Sequence, residues 1–217
     1  MKQKLLLFSA AAIFLAACNN EKKDDKDNSK TETVSAGDNK EKKWVVVDSA
    51  TAMKAWMDYS TPGDAHKMMA SADGTWDAEV SSWMTKDAPP SVSKATCVNK
   101  MIMDGRYQVS DFTGEMMGMP FTGHSTLAYD NYKKTYTSTW IDNMGTGIMV
   151  MEGPWDEASK SMTLTGKYTN PANGVECEMK EIFTWTDNDN QKMEMYGPDQ
   201  TTGEQYKTME IKFTRRK

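Results

Sequence analysis

The amino-acid sequence predicts a mainly β domain: an antiparallel barrel of about ten strands, preceded by a short helical segment. Two observations support this prediction. Apolar and polar side chains alternate with a period of two along several segments after residue 74, as in strands with one buried face. Turn-forming residues separate these segments at short, fairly regular spacing, with no helical pattern between them. A sheet of such strands can close on itself, which pairs every strand edge.

The predicted helical segment lies before the first strand. Asp48 can cap a helix over residues 50–59, which a Pro-Gly pair at 62–63 ends. Three side chains are spaced as one apolar face of this helix: Met53, Trp56 and Met57. Asp64 can cap a second short helix that reaches Met69.

Ten segments are predicted to be strands. They are residues 75–84, 93–103, 106–112, 121–129, 135–142, 147–151, 162–168, 175–185, 192–196 and 205–215. Asp104-Gly105 is typical of a two-residue hairpin turn, and Asp130-Asn131 marks another turn. The alternation is clearest late in the chain, where these residues share one face of their strands: Val175, Cys177, Met179, Phe183 and Trp185, then Met209, Ile211 and Phe213.

The N-terminus has the features of a secretory signal peptide. Lys2 and Lys4 precede an uncharged apolar run over residues 5–17, which is too short for a membrane-spanning helix of about 20 residues. Leu-Ala-Ala-Cys at residues 15–18 resembles the lipobox of bacterial lipoproteins. That resemblance implies removal of residues 1–17 as a signal peptide and acylation of Cys18. The alternative is an ordinary cleaved signal followed by an accidental cysteine.

Residues 18–43 are predicted to be a tether. After Cys18 this segment contains seven Lys, seven Asp or Glu and no aromatic residue. Such a composition buries too little apolar surface to offset the entropy of ordering it. As a flexible coil it spans roughly 25–30 Å, enough to hold a domain clear of lipid head groups. Its charged run at residues 21–27 also resembles the signals that send some Bacteroidetes lipoproteins to the cell surface. We therefore expect an outer-membrane lipoprotein, periplasmic or surface-exposed.

The charge of the chain bounds its partners. Without residues 1–17, which carry two Lys and no acid, 24 basic and 31 acidic side chains remain, a net charge of −7. An acidic chain without a cluster of Lys and Arg is a poor nucleic-acid binder. It is also repelled by anionic lipids, so the membrane is expected to be a partner through the acyl chains alone. Residues 44–217 suffice for a single domain with its own core.

Cys97 and Cys177 remain if Cys18 is acylated. An oxidising compartment permits a disulfide between them. The sequence contains nothing that brings them together, and free cysteines within strands are favoured. It leaves the oligomeric state open.

Several motifs resemble the DUF1579 family, which has no established activity. They are Gly-Asp-Ala-His-Lys at 63–67, Gly-Thr-Trp at 74–76, Gly-Arg at 105–106, Met-Gly-Met-Pro-Phe-Thr-Gly at 117–123, Tyr-Asp at 129–130 and Trp-Ile-Asp-Asn-Met-Gly-Thr at 140–146. The resemblance covers residues 62–216 and implies a lipocalin-like barrel. The motif at 74–76 is similar to the opening of the lipocalin barrel, in which a basic residue of the last strand covers the tryptophan. Arg215 lies on the same face of its strand as the apolar residues 209, 211 and 213. It is therefore placed to cover Trp76 through a cation–π contact.

Methionine is the most unusual feature of the composition. Three pairs two residues apart each project to one face of a sheet: Met101 and Met103, Met149 and Met151, Met193 and Met195. Three interpretations compete. These side chains fill an irregular core, or they wall a soft pocket for an apolar ligand, or they bind Cu(I) together with His124, near which Met116, Met117 and Met119 lie. The order given is the order in which the sequence favours them.

The predicted function is non-catalytic binding of a small apolar or amphipathic molecule inside the barrel, with no cofactor. The residues predicted to line the interior are Trp76, Met101, Met103, Trp140, Met179, Trp185, Met193, Met195, Met209 and Phe213. One alternative is a solidly packed structural or protein-interaction module. Another is a hydrolase that assembles an acid–base group at the barrel mouth from four side chains: Arg106, His124, Asp130 and Asp142. The sequence contains no HxxxH or HxH metal spacing, G-x-S-x-G elbow or P-loop, so an enzyme is disfavoured.

Overall fold

The structure is a computed structural model that describes residues 44–217. The predictions for the signal peptide, for Cys18 and for the tether lie outside the described residues. Residues 46–217 form one compact unit. Among residues 44–217, no helix is long and apolar enough to cross a membrane.

Two helices and eleven strands make up this unit. The helices are α1 (Ser49–Ser60) and α2 (Asp64–Ser71). The strands are β1 (Gly74–Ser82), β2 (Ser91–Ile102), β3 (Tyr107–Met116), β4 (Met119–Asp130), β5 (Thr135–Asp142), β6 (Met149–Gly153), β7 (Trp155–Asp156), β8 (Ser161–Thr169), β9 (Glu176–Trp185), β10 (Asn190–Pro198) and β11 (Gln205–Arg215).

The strands form one closed antiparallel barrel, which confirms the predicted fold. Their order is β6-β5-β4-β3-β2-β1-β11-β10-β9-β8-β7, and β6 also pairs with β8. That last pairing closes a ring of ten strands, and the two-residue β7, which begins two residues after the end of β6, extends the same seam by pairing with β8. Each strand pairs mainly with its neighbours in the chain, so short turns connect the strands. Because the sheet is closed, one face of every strand points into the barrel.

The closing seam between β6 and β8 depends on two glycines. Met151 lies opposite Gly166, and Glu152 lies opposite Thr165. A Cβ atom on Gly166 would overlap the carbonyl oxygen of Val150, and one on Gly153 would overlap the carbonyl oxygen of Thr163. The backbones therefore approach more closely here than any side chain permits.

We expect Gly166→Ala to lower the free energy of unfolding by about 1–3 kcal/mol, because the added methyl group has no room and the seam must widen. Urea denaturation of the full chain measures this change. Gly147→Ala is the matched control, because a Cβ at Gly147 meets no atom within 4 Å. Equal stability of the two variants would show that the seam is not tight.

The structure confirms one predicted helix cap and shows how far each helix is buried. Asp48 caps α1 as predicted, accepting hydrogen bonds from the amides of Ala50 and Thr51 at 3.0 Å. The apolar face of α1 is exposed, however, and none of its residues is buried. In α2 the N-cap is Gly63 and Asp64 is the first helical residue. His66, on α2, is buried and accepts a hydrogen bond from the amide of Gly63 at 3.0 Å.

The core has two clusters of buried side chains. The first gathers around β1 and β11 and contains Ala72, Trp76, Ala78, Val80, Cys97, Met193, Ile211 and Phe213. The second joins α2 to β4, β5, β6 and β8 and contains Met69, Leu127, Tyr136, Met151, Met162 and Leu164. Helix α2 thus packs against one end of the barrel, where Gln108 Nε2 donates to the carbonyl oxygen of Met69 at 2.6 Å.

Candidate functional site

The barrel encloses a cavity of about 330 Å³. Nine methionines and six aromatic residues make up almost half of the 31 residues that form its wall. The aromatic residues of the wall are Phe112, Phe121, Trp140, Phe183, Trp185 and Phe213. Clefts and cavities that bind small molecules have volumes of about 300–1,000 Å³ and mostly apolar walls. The interior is therefore large enough to hold a small molecule and is not packed solid.

Seven of the ten residues predicted to line the interior lie on the cavity wall. They are Trp140, Met179, Trp185, Met193, Met195, Met209 and Phe213. Met149 and Met151, one of the methionine pairs noted in the sequence, also line it. The other three predicted residues lie elsewhere. Trp76 belongs to the core at one end of the barrel, and Met101 packs against the second core cluster.

Met103 differs most from the prediction, because it is 67% exposed. The sequence places it at the end of a strand before a two-residue Asp104-Gly105 turn. In the structure β2 ends at Ile102, and Met103, Asp104 and Gly105 all have positive φ angles. The turn thus begins one residue earlier than predicted, so the strand parity that would point Met103 inward no longer applies.

One end of the barrel is closed around Trp76. Its side chain is fully buried, and its Nε1 donates to the carbonyl oxygen of Ala72 at 2.9 Å. The Arg215 guanidinium lies 4.2 Å from the centre of the Trp76 ring, within cation–π range. It also donates to the carbonyl oxygens of Ser71, Asp73 and Asn188 at 2.7, 2.6 and 2.9 Å. Arg215 therefore ties the last strand to the end of α2, to the segment that follows α2 and to the turn between β9 and β10.

The mouth of the cavity lies at the opposite end, near the β3–β4 turn and the β5–β6 loop. The wall residues there include Glu115 and Met116 at the end of β3 and Phe121 near the start of β4. Met144, in the β5–β6 loop, keeps 46% of its surface exposed. Asp142 Oδ2 accepts a hydrogen bond from Trp140 Nε1 at 2.7 Å, which fixes that indole in the wall.

The aromatic side chains of the wall contact one another in a chain that crosses the interior. Ring centres are 4.7 Å apart for Phe183 and Trp185, and 5.7 Å apart for Phe183 and Phe213. The chain continues from Phe213 to Phe112 at 6.1 Å and from Phe112 to Trp140 at 5.2 Å. These separations suit edge-to-face and tilted ring packing, which holds each ring in one orientation. The cavity wall is therefore preorganised on this side.

Glu181 is a wall residue that was not predicted from the sequence. It lies in the middle of β9 on the inward face, between Met179 and Phe183. Its partners across the sheet are Leu164 on β8 and Met195 on β10. Withdrawal of the carboxyl from bulk water raises its pKa to about 7. Strict alternation of side chains along β9 predicts this position, because Glu181 is two residues from both Met179 and Phe183 and so lies on the same face of the strand.

The cavity wall also carries polar groups, one of which is a buried donor without a partner among the described residues. Trp185 Nε1 is buried, and no described residue accepts its hydrogen bond. Ser110 and Ser125 lie directly opposite each other on β3 and β4, and both line the cavity. Buried donors in folded proteins are nearly always paired with protein groups or water. An unpaired indole N–H is therefore a group that a bound molecule or water would satisfy.

The structure separates the four residues of the predicted acid–base group. His124 Nδ1 lies 2.7 Å from Asp111 Oδ1 on the outer face of the barrel. Asp130 Oδ1 accepts from the amides of Tyr132 and Lys133, at the end of the barrel opposite Asp142. Arg106 lies at that same end, where it donates to the carbonyl oxygen of Met103 at 3.2 Å. Both aspartates form local turns, because Asp142 likewise accepts from two amides that follow it.

The residues predicted as copper ligands are also dispersed. Met116 lines the cavity, whereas Met117 and Met119 are exposed near the β3–β4 turn. Residues 44–217 contain no group of three or more His, Cys, Asp or Glu side chains that could hold a metal ion. The cavity wall formed by the described residues contains methionines but no histidine.

Both cysteines of the described chain are free. Cys97 is buried on the cavity wall, and its thiol donates to Asn99 Oδ1 at 3.1 Å. Burial raises the pKa of this thiol to about 12, so it stays protonated at neutral pH. The nucleophilic form of cysteine is the thiolate, so Cys97 is inert in the folded protein.

The fold and the site define a closed, lipocalin-like antiparallel β-barrel with an internal apolar cavity. Residues 61–215 match the family described as Protein of unknown function (DUF1579). The chain belongs to this family, as its motifs predict. No curated protein matches the sequence.

Solved structures with similar folds include the following two. Rv2717c from M. tuberculosis is 10% identical and superposes with a TM-score of 0.55 over 72% of this chain and 100% of its own. The S-type phycobiliprotein lyase CPES from Guillardia theta is 11% identical, with a TM-score of 0.53 over 75% of this chain and 97% of its own. At this identity the similarity establishes the fold and no activity.

Proposed function

We propose that this protein binds a small apolar or amphipathic molecule inside its barrel without transforming it chemically. The observation that carries the proposal is the cavity itself, about 330 Å³ in volume and walled by methionine and aromatic side chains. Flexible thioethers adapt to ligands of varied shape, and rigid aromatic rings supply a large contact area. An apolar guest would gain free energy by leaving water for this interior.

The proposed place of action is the cell envelope. We infer export and acylation at Cys18 from the lipobox-like residues 15–18, and the charged tether up to residue 43 would hold the barrel above the membrane. The membrane and an apolar ligand are the proposed partners, and the acidic charge of the chain disfavours nucleic acid. A barrel on a lipid tether would hold an apolar molecule in the water beside a membrane, where that molecule is otherwise poorly soluble.

Native mass spectrometry of the protein purified from its host tests this proposal directly. We expect a population whose mass exceeds that of the polypeptide by one small molecule, lost when the protein is denatured. Decanol is a defined probe for the protein after ligand removal. Because Trp140 and Trp185 lie on the cavity wall, tryptophan fluorescence should change as decanol binds.

We expect Ser110→Phe to weaken decanol binding at least about fivefold, because the ring would occupy cavity volume that the ligand needs. Ser110 lines the cavity on β3. Thr113→Phe is the matched control, since Thr113 is exposed on the outer face of the same strand. Fluorescence titration of both variants measures the effect. Equal losses in the two variants, or none in either, would place decanol outside the barrel.

A further inference from the structure

Glu181 places an acidic group inside a cavity that offers it no partner. The carboxyl makes no hydrogen bond or ion pair with any residue between 44 and 217, and burial alone shifts its pKa. Its nearest neighbours across the sheet, Leu164 and Met195, are apolar. Leu164 is fully buried. A carboxyl group in such a position costs stability, because neither charge nor hydrogen-bonding capacity is compensated.

The charges around the cavity all have the same sign. Two further acidic residues, Glu115 and Asp142, line its mouth, and the wall contains no Lys, Arg or His among the described residues. An anionic head group would therefore meet repulsion at the mouth and again at Glu181. A cationic head group would be attracted at both levels.

The aromatic rings reinforce this preference. Phe183 adjoins Glu181 on the inward face of β9, and its ring centre lies 4.7 Å from that of Trp185. The faces of aromatic rings carry negative electrostatic potential and attract cations, most strongly where water is excluded. A cation held by Glu181 would thus lie beside rings that favour it, while an attached apolar group would contact the methionines.

We propose that the cavity binds amphiphiles that carry a protonated amine, and that Glu181 is the residue that holds the cation. This inference rests on the proposed function, because it needs a ligand inside the barrel. The ammonium group donates hydrogen bonds to the Glu181 carboxylate, and the apolar remainder fills the methionine-lined part of the cavity. The acids at the mouth, Glu115 and Asp142, attract the cation as it enters.

The raised pKa of Glu181 sets the conditions for the test. Its carboxyl is largely ionised only above about pH 7 in the empty barrel. At pH 8 both partners carry their charges, because an alkyl ammonium group remains protonated there. Measurements at pH 8 therefore compare an ion pair with its neutral counterpart.

The test compares decylamine, decanol and decanoate, which share one decyl chain and differ in head group. Isothermal titration at pH 8 measures their affinities for the full-length protein, for Glu181→Gln and for Glu178→Gln. Glu178→Gln is the matched control, because Glu178 is an exposed residue of the same strand. We expect the wild type to bind decylamine about tenfold or more tightly than decanol, and decanoate most weakly. Glu181→Gln should abolish the preference for the amine, so that the ratio of the decylamine affinity to the decanol affinity falls to about one. Glu178→Gln should change neither.

The outcomes separate this inference from the proposed function. Equal affinities for decylamine and decanol, unchanged in Glu181→Gln, would overturn the role of Glu181 and leave the proposed function intact. Tightest binding of decanoate would also overturn it, and would indicate that a protonated Glu181 donates to an anion. An equal loss of amine binding in Glu178→Gln would show that the amine responds to the negative charge of the protein surface and not to Glu181, which would overturn the inference. If none of the three probes binds, the proposed function itself fails.

Discussion

Replacement of Trp76 by alanine is expected to lower the free energy of unfolding by about 3–5 kcal/mol, a larger loss than that expected for Gly166→Ala. Trp76 is fully buried in the first core cluster, so its removal leaves a void that the barrel cannot fill. It also removes one contact from each of two polar groups, which keep their other hydrogen bonds. The carbonyl oxygen of Ala72 loses the indole donor, and the Arg215 guanidinium loses the ring on which it lies.

Chemical denaturation followed by far-UV circular dichroism measures the effect of this change. Trp56→Ala is the control, because Trp56 lies on α1 with 68% of its surface exposed and its loss should change stability by less than about 0.5 kcal/mol. A loss below about 1 kcal/mol for Trp76→Ala would mean that the closed end of the barrel does not depend on this residue.

Glu181→Gln is expected to make the protein more stable at pH 8 and to leave its stability almost unchanged at pH 5. The pKa of Glu181 is about 7 in the folded protein, compared with an ordinary value of 4.5. Between these values the folded chain keeps a proton that the unfolded chain releases. The free energy of unfolding of the wild type therefore falls as the pH rises through this window, by up to about 3 kcal/mol. Glutamine does not titrate, so the variant lacks this loss.

Thermal unfolding of both proteins from about pH 4.5 to pH 8 tests this expectation. With about 2–4 °C per kcal/mol for a domain of this size, the midpoints should differ by several degrees at pH 8 and converge below pH 5. His66 contributes a slope of the opposite sign, because burial lowers its folded pKa and stability is lost as the pH falls below its ordinary value of 6.5. That slope is present in both proteins and cancels in their difference. Parallel curves for the two proteins would show that Glu181 is solvated or paired.

Much of the fold could be predicted because the alternation of side chains and the turn residues agree. The bounds of β5 and β11 match their predicted residues, since each has a regular pattern and a clear turn beside it. β3 extends to Met116, beyond its predicted end at Phe112. The apolar pattern stops at Phe112, but the ladder with β4 continues until the turn at Met117 and Gly118, where φ becomes positive. The backbone pairing of β3 with β4 therefore extends beyond the end of its apolar side-chain pattern.

Residues of the cavity wall could be predicted where the strands are regular, and not where a strand ends earlier than its pattern suggests. Met193 and Met195 line the cavity as strand parity requires, whereas Met103 is displaced by a turn that begins one residue early. Glu181 was overlooked because a charged side chain on an apolar face is ordinarily expected to point away from the core. His66 contacts Tyr129, with ring centres 5.9 Å apart, and this contact between α2 and β4 leaves no local signal in the sequence.

The seam between β6 and β8 is the part of the barrel wall with the fewest paired residues. Two residue pairs join β6 to β8, and β7 adds two further pairs with β8 along the same seam, whereas every other neighbouring pair in the closed ring of described strands is joined by five or more. Separation at this seam breaks the fewest backbone hydrogen bonds and so needs the least free energy. We therefore expect transient opening of the barrel to start at this seam in its side wall, which would let solvent reach the interior without passing through the mouth.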